Sequence, residues 1–433
     1  MHVLYRNEQT IREENLSLLG VLNMKNIRFL LVAIFAALPV MVTSQERETY
    51  SLERLISLGL NHNPIINAEK QSVEAAKAAY SASRSFPNPA LDYSQGSAKS
   101  YDGTVTRTTR GFSITQPFEN PFKRHYRAES QKNRWQAVEY SYENARNELI
   151  FDIKIYFYKI LLLNKKEEIT SKNLEAIGEI YRLIKKRADL GEVKELEAIK
   201  LFVETLKAQK DLNQIKTEKE LSEDNLNRLL GNMLSKNFVL SGKMDRTSVP
   251  IDEESLIQLA LFSQPLIKEK AMELEESQNT SRFLKWHRLP DFNLSGFTRK
   301  ELDGTNTGIG ISFEIPLWNW RSAEIKEADK HTLKKEFELQ ALKDEVITKV
   351  RSKIKQLQLS SQTLKLFSSG LLTQAAESLK IAELSYKEGE ISLMDYLDSQ
   401  RTYNSIFLDF QEALYMWHAD KAALEKAVGE EIK

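Results

Sequence analysis

Cysteine is absent from all 433 residues. Disulfides, thiolate metal sites, cysteine nucleophiles and a lipid-anchoring cysteine are therefore excluded. Glycine (16) and proline (10) are scarce beside 28% charged residues. That balance suits long solvated helices rather than a sandwich or a disordered tail. Neither sign of charge is in excess, since Lys+Arg and Asp+Glu both number 61. A nucleic-acid surface needs a basic surplus to displace counterions, so the balance argues against nucleic acid, and none is expected as a partner. Also missing are a nucleophile elbow, a Walker loop and a GxGxxG turn, and with them the usual signatures of an enzyme. The histidines (His2, His62, His125, His287, His331, His418) show no ligand spacing. No catalytic residue, metal site or cofactor is expected.

Long apolar runs are also rare. The one that stands out, Phe29 to Val42, follows the basic stretch Met24-Lys25-Asn26-Ile27-Arg28 and precedes Thr43-Ser44-Gln45. This is the layout of an export signal cut near Ser44. The plainer reading is a membrane anchor, but the run is shorter than the roughly 20 residues a spanning helix needs. Residues 1–23 read as an upstream extension. No later stretch is long and apolar enough to span as a helix, so any further membrane passage must use strands.

What is present is a duplication. Leu55 to Leu60, ending at Pro64, returns as Leu256 to Leu261, ending at Pro265. Pro89-Ala90-Leu91-Asp92-Tyr93-Ser94 returns as Pro290-Asp291-Phe292-Asn293-Leu294-Ser295, and Asp102-Gly103 as Asp303-Gly304. Gly111 to Pro117 matches Gly310 to Pro316, Gly191-Glu192-Val193 matches Gly389-Glu390-Ile391, and Leu230-Gly231 matches Val428-Gly429. Six pairs in the same order mark a true repeat. The organisation expected is 1–45 extension and signal, 46–240 first repeat, 241–433 second repeat.

Within each repeat the hydrophobic period changes. Ile309, Ile311, Phe313 and Ile315 alternate with Gly308, Gly310, Ser312 and Glu314, a period of two that predicts a strand. Phe292 and Leu294 mark its partner, and Asp303-Gly304 the hairpin turn between them. The first repeat carries a weaker copy around Asp102-Gly103. Helical stepping follows, as in Leu149, Ile153, Tyr156 and Ile160. It continues for some 60 residues to Gly191 or Gly389, on the order of 90–100 Å of helix. Leu196, Ile199, Val203 and Leu206, and in the second repeat Phe407, Phe410, Leu414 and Trp417, predict return helices.

The fold class predicted is mainly α with a small β part: a coiled-coil helical tube plus four amphipathic strands. Four strands alone would leave edges without hydrogen-bond partners in lipid. Closed membrane barrels need about eight strands or more. Several chains must therefore share one barrel, and a homotrimer would give a 12-stranded one.

This plan, with particular motifs, resembles the TolC-type outer-membrane efflux family over essentially the whole mature chain. The motifs are Asn63-Pro64, Phe313-Glu314-Ile315-Pro316-Leu317, and Tyr386-Lys387-Glu388-Gly389-Glu390-Ile391-Ser392 followed by Asp395-Tyr396-Leu397-Asp398. The last is similar to the family's periplasmic tip, where an adaptor docks and the duct is pinched shut. Asn88-Pro89-Ala90-Leu91, Gln116-Pro117-Phe118-Glu119 and Lys123-Arg124 resemble the cobalt-zinc-cadmium branch, although Phe122 stands where a glycine is common.

The resemblance implies that Asp395 and Asp398 form acidic pore rings, a cation-attracting gate. The plainer reading is a solvated helix face. A basic residue that helps lock the tip in relatives is replaced here by Ile391. Gly191, Glu192, Val193, Tyr386, Gly389, Glu390 and Ile391 are expected at the adaptor-docking turns, where glycine allows the chain to reverse. Trp286, Trp318 and Trp320 either form an interfacial girdle or pack the strand–helix junction. The expected partners are further copies of the chain, outer-membrane lipid, a periplasmic adaptor and an inner-membrane pump, proton-driven. Energy must come from that pump. Two alternatives stay open: the exit of a type I protein secretion machine, and a soluble periplasmic coiled-coil scaffold.

Overall fold

The computed structural model describes residues 48–235, 238–245 and 251–432. The expected signal peptide lies outside the described residues. From Thr49 onward the chain forms one compact unit. Among the described residues no helix is long and apolar enough to cross a membrane.

The first repeat runs β1 (Thr49–Tyr50), α1 (Leu52–His62), α2 (Pro64–Ser83), β2 (Ala90–Lys99), β3 (Thr106–Phe118), α3 (Pro121–Asp189) and α4 (Glu195–Leu229). The second runs β4 (Val239–Leu240), α5 (Glu253–Ser263), α6 (Pro265–Trp286), β5 (Phe292–Lys300), β6 (Thr305–Phe313), α7 (Ser322–Leu366), α8 (Leu372–Lys387) and α9 (Leu393–Val428). Local chemistry sets the starts. Ser51 caps α1, and Asn63 and Asn120 cap α2 and α3 just ahead of a proline. Proline at the first helical position loses only an amide that would lack a partner anyway.

β2, β3, β5 and β6 form one antiparallel sheet in that order, so β2 and β6 are its open edges. Cross-strand partners share a face. One face carries Leu91 opposite Ile114, Tyr93 opposite Phe112, Leu294 opposite Ile311 and Phe292 opposite Phe313, all exposed. The other carries Ser94 opposite Gly111 and Ser295 opposite Gly310, with Asn293 and Ser312 paired beyond them. The polar face is crowded at its glycines. A Cβ on Gly111 would lie 2.6 Å from Ser94 Oγ, and one on Gly308 would lie 2.9 Å from the Phe297 ring. Small residues there let the sheet curve toward its polar side.

α3 is one unbroken helix of 69 residues, about 100 Å at 1.5 Å per residue. Its counterpart is not continuous, a departure from the expected uninterrupted stepping. A π-turn, Phe367–Leu371, separates α7 from α8, and Gly370 within it takes φ 132°. That angle needs glycine.

The core is duplicated too. Leu55, Ile66, Ile153 and Leu230 anchor one cluster, and Leu256, Ile267, Val350 and Val428 anchor the other at matching positions. The Leu-Gly and Val-Gly pairs now have a physical reason. Gly231 (φ 70°) and Gly429 (φ 89°) end α4 and α9 in the left-handed region. Each presses on the bend between two short helices, where a Cβ would lie 2.5 Å from His62 O or 2.9 Å from Gln264 Cα. The repeats are also sewn together. β3 pairs with β5, and Lys154 of α3 meets Glu425 of α9 at 2.6 Å.

Candidate functional site: tip turns, acidic pair and junction aromatics

The tip is built by two similar turns. Gly191 (φ 77°) follows the end of α3 and Gly389 (φ 80°) the end of α8. In the first, the Glu192 amide donates to Arg187 O at 2.9 Å; in the second, the Glu390 amide donates to Ser385 O at 2.8 Å. Side chains repeat the link, with Arg187 Nε donating to the Glu192 carboxylate at 3.0 Å and Ser385 Oγ to Glu390 at 3.1 Å. These bonds satisfy helix-end carbonyls and fix both reversals.

The turns sit beside a shared apolar patch. Ile184, Ala198 and Leu201 of the first hairpin bury Leu397 of α9, with Val193, Leu393 and Met394 around them. Tyr386 stacks on Tyr396 at 5.5 Å between ring centres. Ile391 is half-buried and brings no charge. Ionic links near the tip include Lys185–Asp189 (2.7 Å), Arg187–Glu192 and Lys387–Glu383 (2.6 Å).

Asp395 and Asp398 are both exposed. Asp395 also has a local task. Its carboxylate accepts from Ser392 Oγ at 2.7 Å and the Ser392 amide at 3.2 Å, while Ser392 Oγ accepts from the Asp395 amide. This is a capping box, and it fixes the start of α9. Asp398 has only a distant Arg401 at 3.9 Å. The two carboxylates therefore differ: one is pinned at the helix start, the other stands free on the next turn.

The return helix α4 forms where the helical stepping predicts it. Leu196, Ile199, Val203 and Leu206 are exposed, and α4 turns Ala198, Leu201, Ala208 and Leu212 inward instead. α4 therefore carries two apolar stripes, one without a partner in the single chain.

At the hairpins, Gly103 (φ 74°) turns β2 into β3. Asp102 is held at about 2 by hydrogen bonds from Ser100 and Thr104. Asp303 and Gly304 lie in the tighter connection, closed by the Glu301 amide donating to Gly304 O at 2.8 Å. The junction tryptophans divide. Trp286 stacks on Phe122 at 4.2 Å, whereas Trp318 and Trp320 are exposed.

Sequence reasoning missed an ion pair at this junction that is buried at its lysine end. Lys123, only 2% exposed, reaches Asp291 at 2.9 Å. Asp291 also accepts the Asn120 amide at 2.8 Å. Among the described residues no group of His, Asp and Glu has the arrangement to hold a metal.

Residues 55–232 and again 256–430 match the outer membrane efflux protein family. The chain is 20% identical over 356 residues to the cobalt-zinc-cadmium resistance protein CzcC of Cupriavidus metallidurans, covering 81% of this chain and 83% of that one. Its fold is similar to the Campylobacter jejuni CmeC outer membrane channel (TM-score 0.76, 20% identity, 87% of this chain and 85% of that chain). CusC gives TM-score 0.74 at 15% identity, over 88% of this chain and 92% of that chain. The open-state outer membrane channel MtrE of Neisseria gonorrhoeae gives 0.74 at 16%, over 88% and 89%. These likenesses agree with the four-stranded amphipathic sheet and the long helical hairpins. The chain belongs to the outer membrane efflux protein family, the trimeric channels through which tripartite efflux systems cross the outer membrane, with its helices in the periplasm.

Proposed function

We propose that this channel is a passive exit duct for metal cations or other small molecules, gated at its periplasmic tip by Asp395 and Asp398. The carrying observation is the pair of exposed carboxylates one turn past the Gly389 reversal. Three copies around an axis would set two acidic rings at the narrow end, attracting cations and repelling one another. The likeness to a cobalt-zinc-cadmium resistance protein supports divalent metal as cargo. A proton-driven inner-membrane pump would supply the energy, and an adaptor would seat on the Gly191 and Gly389 turns.

The unpartnered stripe of α4 and the open edges β2 and β6 are the surfaces that copies of the chain would cover. Each repeat, 46–240 and 241–433, then acts as one of six similar staves. Gating is tested with reconstituted trimers in planar bilayers. Asp395→Asn with Asp398→Asn should abolish block by trivalent cations applied from the tip side. Unchanged block would rule out the acidic gate. Cargo is tested by deleting the gene and measuring sensitivity to zinc, cobalt and cadmium beside bile salts and dyes. Sensitivity confined to bile salts and dyes would rule out metal.

A further inference from the structure

The apolar face of the sheet changes character toward the hairpin turns. Its last row with aromatic side chains is Tyr93–Phe112–Thr298–Thr307. The next row on that face, about 7 Å further along the strands, is Gln95–Arg110–Lys300–Thr305. Beyond it the same face continues through Ser97 and Thr108 to Lys99 and Thr106, all exposed. The helices join the sheet at its other end. With those helices in the periplasm, the outermost rows lie in the outward half of the bilayer and just above it.

Arg110 and Lys300 are direct cross-strand partners. Like charges set opposite each other repel and weaken a sheet. Both side chains are exposed, and among the described residues neither makes an ion pair. The nearby Asp102 carboxylate is already engaged by Ser100 and Thr104. Other basic side chains of the sheet are placed differently. Arg107 donates to Leu302 O at 3.1 Å, and Arg299 lies on the polar face beside Gly111. Two facing cations without a counterion, one step above an aromatic row, make a seat for an anion that arrives with the membrane. The pair sits on the central strands β3 and β5, so each chain carries it whole.

We propose that Arg110 and Lys300 form a phosphate site for the phosphorylated glycolipid of the outer leaflet. Its acyl chains would lie along Tyr93, Phe112 and the apolar rows below, with one phosphate held between the two cations. The guanidinium fork matches two phosphate oxygens, and the ammonium adds a point charge. The form of the face selects a tall head. Past the pair it stays polar and exposed for four more residues, about 13 Å, and ends at Lys99. A phospholipid headgroup would cover the first of these rows alone. A phosphorylated disaccharide covers the rest, its hydroxyls meeting Gln95, Ser97 and Thr108 and its second phosphate meeting Lys99. A trimer then holds three such lipids, one on each sheet.

The test uses purified full-chain trimers in nonionic detergent, incubated with lipid A, an acylated diglucosamine bisphosphate, and examined by native mass spectrometry. Up to three lipid A molecules should stay bound per trimer. Dephosphorylated lipid A and phosphatidylglycerol, each at the same concentration, should be retained several-fold less. Arg110→Gln with Lys300→Gln should lower lipid A retention several-fold. Arg299→Gln, on the opposite face of the sheet, should leave it unchanged. Equal retention of lipid A by the double variant overturns the site. So does equal retention of dephosphorylated lipid A by the native chain, a comparison that needs no variant to fold. Equal retention of phosphatidylglycerol, or displacement of lipid A by inorganic phosphate, overturns the glycolipid as the occupant.

Discussion

The Lys123 ammonium and the Asp291 carboxylate meet at 2.9 Å across the two repeats, with the lysine buried and the aspartate half-exposed. One repeat's helix and the other's strand are thereby joined where tube becomes sheet. Removing the aspartate leaves a buried charge alone, whereas Lys123→Met replaces it with an apolar chain of similar length. Asp291→Ala should therefore destabilise by about 3 kcal/mol, near the low end for a broken buried pair. Lys123→Met should cost clearly less. Thermal melting of purified trimers checks the order.

Gly231 and Gly429 should tolerate no side chain. Alanine at either meets backbone within 2.9 Å and must hold a positive φ. The left-handed angle alone costs about 1–2 kcal/mol, and the clash adds to it. Gly231→Ala and Gly429→Ala should each lower the trimer's melting temperature more than Gly178→Ala, where the new Cβ meets open space.

Burial gives the fold an acid-sensitive point at His418. Its ring stacks on Tyr158 at 4.0 Å, and desolvation, with Lys421 nearby, holds it at about 4 against an ordinary 6.5; Asp245 offsets this in part. The unfolded chain takes up this proton below pH 6.5, and the folded chain only below about 4. Stability should fall as pH drops from 6.5 to 4, by up to about 3 kcal/mol from this group, and then level off. Denaturant melts at several pH values should show the slope, reduced in His418→Phe.

Ser392 separates the two tasks of Asp395. Ser392→Ala removes the cap but keeps the charge, so it should cost about 1 kcal/mol of local helix stability and leave cation block in place. Asp395→Asn with Asp398→Asn should remove the block. Hydrogen exchange at the start of α9, read beside conductance, distinguishes them.

Much of this architecture was legible in the sequence because it is periodic. Ile309, Ile311 and Phe313 declare a strand whatever surrounds them, and the paired glycines declare turns. Which stripe of α4 is buried was not legible, because Leu196–Leu206 and Ala198–Leu212 both step helically, and spacing alone does not say which meets α3. The π-turn was missed because apolar residues continue on both sides of Gly370 and hide the slip in phase. Lys123 and Asp291 are 168 residues apart, a pairing no local pattern encodes. The Asp395 cap is different. Ser392-Leu393-Met394-Asp395 has the spacing of a capping box, so that signal was present in the sequence.

The open edges β2 and β6 bear on heredity as well as on structure. A chain spoiled on β2 still offers a sound β6, so it is recruited into rings rather than left out. In a cell making normal and spoiled chains equally, random mixing leaves only about one ring in eight free of damage. Edge-strand mutations in this gene should therefore behave as dominant, whereas mutations that prevent folding altogether should be recessive.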